Sequence, residues 1–233
     1  MSDLVKKTLI YTLLAVGAII MVFPFFWMFI SSLKTAAEVN TSPPTFLPAV
    51  PTFQNYVFAL KTAPFARYFL NSVIVTLACV TATMFTTILG AFAFSRLKFP
   101  GREFIFTSLI AMMMIPFEML IISNYSTMVA WKLIDTLPAL IIPFTSSIFY
   151  TYILRNFFLS VPDSLYWSAR VDGASNWTYL WRIMVPLAKP TLVTIGLLNA
   201  IIAWNSFLWS VLMINTQAKR TLPFGLFAFT TES

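Results

Sequence analysis

Histidine is absent from this sequence of 233 residues, and cysteine occurs once, at Cys79. The absence of histidine excludes an imidazole general base, an imidazole metal ligand and a histidine-containing catalytic triad. A single cysteine excludes an internal disulfide and a cysteine-based zinc site. We therefore expect no catalytic residue and no metal site in this chain.

Glycine is also scarce, with six residues, and none of them is followed by lysine. No two glycines have the spacing of a phosphate-binding loop or of a dinucleotide-binding fingerprint. The sequence therefore shows no nucleotide site, and it predicts no cofactor bound by the chain itself.

Charged residues make up only 10% of the sequence and hydrophobic residues 59%, against about 25% and about 45–50% in ordinary soluble proteins. A chain this apolar cannot cover itself with polar surface in water, which excludes a soluble enzyme and a disordered chain. The composition predicts an all-α polytopic membrane protein. The net charge of +7 fits basic residues at the cytoplasmic lipid surface better than nucleic-acid binding.

Five stretches are long and apolar enough to cross a bilayer, whose hydrocarbon core of ~30 Å needs roughly 20 helical residues. Backbone groups in lipid must pair within their own segment, so we expect helices. Three of the stretches contain a proline, at Pro24, Pro116 and Pro143, which predicts kinks or helix ends there. We expect residues 1–233 to form a single transmembrane domain. The predicted spans are residues 9–30, 68–94, 104–122, 137–154 and 191–214.

The distribution of basic residues predicts a cytoplasmic N-terminus. With that orientation, nine Lys and Arg residues lie on the cytoplasmic side and six lie outside. The first span is too long for a signal-peptide core and lacks a convincing small-residue cleavage site, so we expect it to be retained. Residues 34–67, which contain five prolines, are then an external segment, and residues 155–190 form a long cytoplasmic loop.

Most of that loop, residues 162–190, has the pattern of a helix, a sharp turn and a second helix. Pro162 suits a helix start, and Asp163 in the first turn favours the helix dipole. Gly173 suits the left-handed position that ends a helix, and Ser175 can cap the next one. Such an element outside the bilayer can insert into a groove on a soluble partner. Spacings of three and four residues predict one apolar face on the second helix, formed by Trp177, Leu180, Trp181 and Met184.

This loop resembles the cytoplasmic EAA loop of ABC-importer membrane subunits, in which Glu-Ala-Ala is followed at fixed distances by Gly, Ile and Leu-Pro. The family's glutamate is replaced by Trp167 and its first alanine by Ser168, so a docking role of that glutamate is not carried over. Arg155 and Arg170 are candidates to supply a charge instead. The positions that align with the pattern, with the two replaced residues included, are Trp167, Ser168, Ala169, Asp172, Gly173, Ala174, Ile183 and Pro186.

The rest of the chain resembles the carbohydrate-importer branch of the same family, from Val22 to about Phe224. Members usually have a sixth helix after a loop such as residues 217–229. This sequence ends at Ser233 without that helix, which indicates either a fragment or an atypical member. The motifs that carry the resemblance are Ser32-Leu33-Lys34-Thr35, Tyr68-Phe69-Leu70-Asn71-Ser72, Met114-Ile115-Pro116 and Trp204-Asn205-Ser206-Phe207-Leu208-Trp209.

The resemblance implies a non-catalytic permease subunit of a binding-protein-dependent ABC importer in a prokaryotic inner (plasma) membrane. It implies a second, related permease chain, two ATPase subunits that bind ATP and magnesium, and an external binding protein that delivers a sugar or oligosaccharide. Residues 155–190 would act as the coupling loop, which transmits closure of the ATPase dimer to the spans.

Four polar or aromatic residues within the spans are candidates for the solute path: Glu118, Asn199, Trp204 and Asn205. Glu118 either forms a wall of that path or lies near the outer end of its span, wetted by the headgroup region. Asn199 and Asn205 either bind sugar hydroxyls or hydrogen-bond between membrane helices. Trp204 either stacks on a sugar or anchors the helix at the membrane interface.

An ion-coupled secondary transporter or channel that uses Glu118 is the alternative function. Such proteins usually show internal repeats and several polar positions within the membrane. This sequence shows no repeat and one carboxylate in its predicted spans.

Overall fold

The computed structural model describes residues 3–232, and every regular element within that range is a helix. The chain divides into two compact units, Met1–Pro64 and Phe65–Ser233. The all-helical membrane fold class is confirmed, because within the described range two helices are long and apolar enough to cross a membrane, or up to five if each bent pair is one span.

The first unit begins with α1, Asp3–Ser32, which contains the predicted span 9–30 and has Pro24 in its interior. No residue of α1 is buried, although the helix is strongly apolar. A helix that is apolar all round needs a non-aqueous surrounding, and lipid meets that need. At about 1.5 Å per residue its length exceeds the hydrocarbon core.

The proline-rich segment after α1 is ordered by contacts around Lys34. The Lys34 side chain is buried and its ammonium lies 4.9 Å from the centre of the Trp27 ring. The Asn55 amide donates hydrogen bonds to the carbonyls of Ser32 and Lys34, at 2.9 and 2.7 Å. These contacts hold two short helices, α2 at Ala36–Val39 and α3 at Gln54–Thr62.

The second unit is built around α4, Phe65–Arg96, a helix of 32 residues. Small and hydroxylated residues dominate its buried face, which allows neighbouring helices to approach closely. At Gly90 an added Cβ would lie only 3.2 Å from the side chain of Thr151. α4 contains the predicted span 68–94 and extends it at both ends.

The predicted span 104–122 is not one straight helix. It consists of α5, Arg102–Met112, followed by a 3₁₀ turn at Phe117–Leu120 and α6, Ile121–Ala130. The two arms meet at 89°. Pro116 ends the first arm, as expected from its missing N–H, and the second arm continues eight residues beyond the predicted end.

The predicted span 137–154 is also bent. α7, Leu137–Ile141, and the 3₁₀ turn Ile142–Phe144 meet α8, Ile148–Ser160, at 43°. Pro143 lies in that turn, and Ser147 caps α8 by accepting a hydrogen bond from the Tyr150 N–H at 3.3 Å.

Residues 155–190 and the fifth predicted span form a further series of helices. The loop contains α9 at Asp163–Val171, α10 at Asn176–Tyr179, a π-helical turn at Leu180–Met184 and α11 at Val185–Leu187. The chain then bends by 78° into α12, Lys189–Trp204, and a break at residues 205–207 precedes α13, Leu208–Met213. The predicted span 191–214 is therefore interrupted before its last turn and a half.

The prediction of a loop at residues 217–229 is wrong from Leu222 onward, because a helix, α14, occupies Leu222–Glu232. Its apolar residues pack on α4, and polar side chains of α4 hold its first residue and the segment before it. The Leu222 N–H donates to the Ser72 hydroxyl at 2.7 Å, and the Asn71 amide donates to the Ala218 carbonyl at 2.9 Å. Composition did not separate this packed helix from a loop.

Candidate solute cavity and coupling loop

A cavity of about 700 Å³ opens where α4, α7, α12 and α13 surround the 3₁₀ turn at Phe117–Leu120. Its walls combine hydroxyls, amides and aromatic rings with aliphatic side chains. Three of the four predicted solute-path residues line it, namely Glu118, Asn199 and Asn205. Trp204 is not among the described lining residues; its ring packs edge-on against Phe69, with 5.6 Å between the centroids.

Glu118 lies at the bend of the broken third span, with its side chain exposed. Pro116 ends the preceding helix and so turns the chain inward at this point. The neighbouring Phe117 ring is fixed between the rings of Phe144 and Trp209, with centroid distances of 5.2 and 5.7 Å. The backbone is thereby anchored beside Glu118, which lines the cavity.

The two asparagines of the fifth span differ in what their amides contact. Asn205 ends α12 and donates to the carbonyl of Ile201, at 2.8 Å, within its own helix. Asn199 is 9% exposed, and no hydrogen-bond partner for its amide occurs among residues 3–232. In the described part of the chain neither amide bonds to another helix, which leaves Asn199 in particular available to a solute hydroxyl.

One wall of the cavity is aromatic and rigid. The indole N–H of Trp209 donates to the Ala139 carbonyl at 2.9 Å, so its ring is locked between α13 and α7. The contribution of the fourth span to the lining was not predicted from the sequence. The signal was the polar run after Pro143, in an otherwise apolar stretch. The lining residues from this region are Phe144, Ser146, Ser147, Phe149 and Tyr150.

The turn at Gly173, in the loop of residues 155–190, has the predicted geometry. Gly173 adopts a left-handed φ of +79°, which residues with a Cβ resist. The Gly173 N–H donates to the Arg170 carbonyl at 3.1 Å, and the Ala174 N–H donates to the Ala169 carbonyl at 2.9 Å. This pair of bonds is the Schellman motif. Ser175 then caps α10 by accepting from the Thr178 N–H at 3.1 Å.

The residues that match the EAA pattern divide into a buried and an exposed set. Ala169 is 6% exposed and packs in the apolar cluster around Leu154 and Tyr179. Trp167, in the place of the family's glutamate, is 60% exposed. Ser168, Asp172 and Pro186 are exposed too, and Ala174 and Ile183 are partly covered.

The predicted apolar face of the second helix is only partly buried. Leu180 and Met184 lie in the core and Trp181 is partly covered, whereas Trp177 is 58% exposed. The π-helical turn at Leu180–Met184 widens the spiral, so spacings of three and four residues no longer keep one face aligned.

Arg155 does not supply a free charge in place of the missing glutamate. Its guanidinium is 4.2 Å from the centre of the Phe106 ring and pairs with both carboxylate oxygens of Glu103, at 3.0 and 2.9 Å. It also donates to the Phe94 carbonyl at 3.0 Å. Arg170 is exposed, but its side chain donates to the Ala174 carbonyl at 3.0 Å and so stabilises the turn.

The sequence model of the binding-protein-dependent transport system inner membrane component matches residues 86–229. The chain belongs to this family. It is a membrane-spanning permease subunit of an ABC importer, and as the membrane component it is not the subunit that hydrolyses ATP. This membership favours the importer function over an ion-coupled secondary transporter or channel.

Individual relatives extend the similarity over nearly the whole chain. The diacetylchitobiose uptake system permease protein NgcG of Streptomyces coelicolor is 31% identical over 233 residues, covering 99% of this chain and 77% of that protein. The inner membrane ABC transporter permease protein YcjP of Escherichia coli is 35% identical over 229 residues, covering 95% and 82%. The sulfoquinovosyl glycerol transport system permease protein SmoH of Agrobacterium fabrum is 34% identical over 206 residues, covering 88% and 72%.

A solved structure shares the fold of this family member. It is the crystal structure of a bacterial ABC transporter involved in the import of the acidic polysaccharide alginate, with a TM-score of 0.85 and 28% identity. The match covers 98% of this chain and 80% of that one.

Proposed function

We propose that this permease subunit translocates a sugar or oligosaccharide across a prokaryotic inner membrane. Its partners in this proposal are a second permease chain, two ATPase subunits carrying ATP and magnesium, and an external binding protein. The names of two relatives, for diacetylchitobiose and sulfoquinovosyl glycerol, and the alginate transporter support a carbohydrate as the solute.

The observation that carries the proposal is the composition of the cavity wall. A pyranose presents hydroxyl groups around its edge and apolar C–H patches on its faces. The cavity offers the amides of Asn199 and Asn205 together with the rings of Phe149 and Trp209. Its volume of about 700 Å³ lies within the roughly 300–1,000 Å³ of small-molecule sites.

The coupling loop, residues 155–190, supports a soluble partner on the cytoplasmic side. Six large apolar side chains of this loop are exposed, and the three most exposed are Trp167 at 60%, Val171 at 87% and Trp177 at 58%. Apolar side chains clustered on a surface mark an interaction site. In the proposal the ATPase subunits cover these residues, and closure of the ATPase dimer moves the loop and turns the cavity outward.

The orientation of the chain is part of the proposal, with a cytoplasmic N-terminus and coupling loop. Single cysteines at Gln54 and Ser164, each in a Cys79→Ala background, test it with a membrane-impermeant thiol reagent on intact cells. We expect labelling at position 54 and none at position 164. The reverse pattern would overturn the orientation.

Uptake by the complete complex in lipid vesicles tests the solute path. A saccharide panel, with the binding protein outside and ATP inside, first identifies the solute. Asn199→Leu should then reduce uptake at a limiting concentration by about threefold to tenfold, the range expected for one lost hydrogen bond. Asn124→Leu, which replaces an amide on α6 outside the cavity lining, is the matched control and should change uptake less than about twofold.

Two results would contradict this proposal. Unchanged uptake by the Asn199→Leu complex would remove the cavity from the solute path. Uptake that follows an imposed proton gradient and ignores ATP would replace the importer by a secondary transporter.

A further inference from the structure

Glu118 is the one residue with a formal charge among the described residues that line the cavity. The remaining lining side chains are hydroxyls, amides, a thiol, aromatic rings and aliphatic groups. No lysine or arginine of the described chain reaches the cavity wall. The charge of this wall is therefore negative and localised at one carboxylate.

Nothing within residues 3–232 neutralises that carboxylate. The ion pairs of the described chain join other residues, and Glu118 takes part in no side-chain hydrogen bond there. Its backbone is fixed by the Phe117 ring, which is packed against Phe144 and Trp209. The packing of Phe117 therefore anchors residue 118 at the wall of the cavity.

A carboxylate at the wall of a cavity with no other charged group discriminates strongly between solutes by charge. Opposite or like charges at contact distance change binding by more than about tenfold, even at the effective dielectric constant of a protein surface. Neutral hydroxyls can instead donate hydrogen bonds to the carboxylate, and such charge-assisted bonds are stronger than neutral ones. An ammonium group gains further from the opposite charge.

We infer that this subunit passes uncharged or amine-bearing saccharides and rejects saccharides that carry a carboxylate, sulfonate or phosphate. The inference rests on the proposed function and narrows its substrate class. Similarity of fold does not decide the charge of the solute, since the alginate transporter handles an acidic polysaccharide. Here the lining of the cavity decides it, through Glu118.

The charge field of the cavity is measured without any solute or binding protein. Ser146 lines the cavity and is exposed, so Ser146→Cys in a Cys79→Ala background places a reactive thiol there. The probes are two methanethiosulfonates of similar size, one with a trimethylammonium group and one with a sulfonate. Their rates with the assembled complex are divided by their rates with a small thiol in solution.

We expect the cationic probe to react about tenfold faster than the anionic probe after this correction. Glu118→Gln should bring the ratio close to one. Asp3→Asn, which removes a carboxylate at the start of α1 and outside the cavity lining, is the matched control and should leave the ratio unchanged. A ratio that is equal in the Glu118 and Glu118→Gln complexes would overturn the inference.

Uptake of matched solutes supplies the second measurement. The neutral, amine-bearing and carboxylate-bearing forms of one saccharide are offered to the complete complex in vesicles. Uptake of the carboxylate form at or above the rate of the neutral form would overturn the inference and leave the proposed function intact. If the complex takes up none of a broad saccharide panel, the proposed function is contradicted. The inference about charge selectivity then falls with it.

Discussion

Arg96, the last residue of α4, forms an ion pair with Asp163, the first residue of α9. The same guanidinium donates to the Phe158 carbonyl at 2.6 Å and to the Val161 carbonyl, in the last turn and at the end of α8. The Arg96 side chain is 7% exposed and that of Asp163 is 80% exposed. One buried guanidinium thus ties two membrane helices to the start of the coupling loop.

Arg96→Gln should reduce ATP-dependent uptake at least about threefold while leaving the chain inserted. Its bonds to the Phe158 and Val161 carbonyls are charge-assisted, and such bonds contribute about 1.5–3 kcal/mol each. Asp163→Asn should have a much smaller effect, since exposed ion pairs contribute about 0–1 kcal/mol. Arg96→Lys should recover part of the activity, because an ammonium can still reach one carbonyl. Uptake and ATP hydrolysis measured on the same vesicles check this order.

An Asp163→Asn complex as impaired as the Arg96→Gln complex would show that the ion pair, and not the carbonyl contacts, holds the loop. If Arg96→Gln lowers the yield of folded complex by the same factor as uptake, Arg96 has a general structural role. The ratio of ATP hydrolysed to solute moved separates that outcome from a coupling defect.

The turn at Gly173 illustrates what could be predicted from the sequence. The glycine at 173, the capping serine at 175 and the charged first turn after Pro162 are local signals. They predicted α9, its left-handed end and the cap of α10, because these features depend on neighbours in the chain. The apolar runs likewise predicted the helices that cross the membrane.

Features that depend on distant residues were not predicted. The cavity wall combines residues from α4, α6, α7, α8, α12, α13 and two 3₁₀ turns. The packing of α14 on α4 depends on Tyr68 and Ser72, far away in the sequence. The 89° bend at Pro116 was expected only as a kink, since a proline ends a helix without specifying the direction of the next one. Trp204 and Trp209 could not be distinguished by composition, yet only Trp209 lines the cavity.

Asp135 ties the loop before α7 to the segment before α14. Its carboxylate accepts from the Thr216 hydroxyl and N–H, at 2.6 and 2.8 Å, from the Asn215 N–H at 3.0 Å and from the Lys219 ammonium at 3.0 Å. The hydrogen bonds from Thr216 are the main cause that holds the pKa of this carboxyl well below its usual range.

The pH dependence of this contact follows from that direction. Because the folded pKa is lowered, the ionised carboxylate stabilises the fold above its ordinary pKa of about 3.9, and the stabilisation is lost as the pH falls below that value. Proteolytic nicking of residues 214–221 should therefore increase between pH 5 and pH 3, a window set by the ordinary pKa of about 3.9. Asp135→Asn should raise nicking at neutral pH and flatten its pH dependence. A variant with the wild-type profile would show that another group is responsible.

Gly225 marks the contact between α14 and α4. A Cβ added there would lie 2.1 Å from the ring of Tyr68, a side chain that is 1% exposed and has no room to move. At Gly196, on α12, an added Cβ meets nothing within 4 Å. Alanine favours a helix over glycine by about 1 kcal/mol, whereas overpacking costs about 1–3 kcal/mol.

Gly225→Ala should therefore lower the thermal midpoint of the purified complex, and Gly196→Ala should leave it unchanged or raise it. The pair differs only in the space that the new methyl group meets. Equal midpoints for the two variants would contradict the close packing of α14 on α4.

Coupling through residues 155–190 is the central claim, and Gly173→Leu tests it most directly. The left-handed φ of +79° strains an apolar residue that carries a Cβ, so the Schellman turn should open although the spans remain inserted. Gly173→Asn, which tolerates this conformation better, is the matched control.

The measurement is the ratio of ATP hydrolysed to solute taken up by vesicles that contain the complete complex. We predict that Gly173→Leu raises this ratio several-fold or loses the ATPase subunits, and that Gly173→Asn stays near wild type. A Gly173→Leu complex that keeps its ATPase subunits and shows the wild-type ratio and uptake rate would contradict the claim.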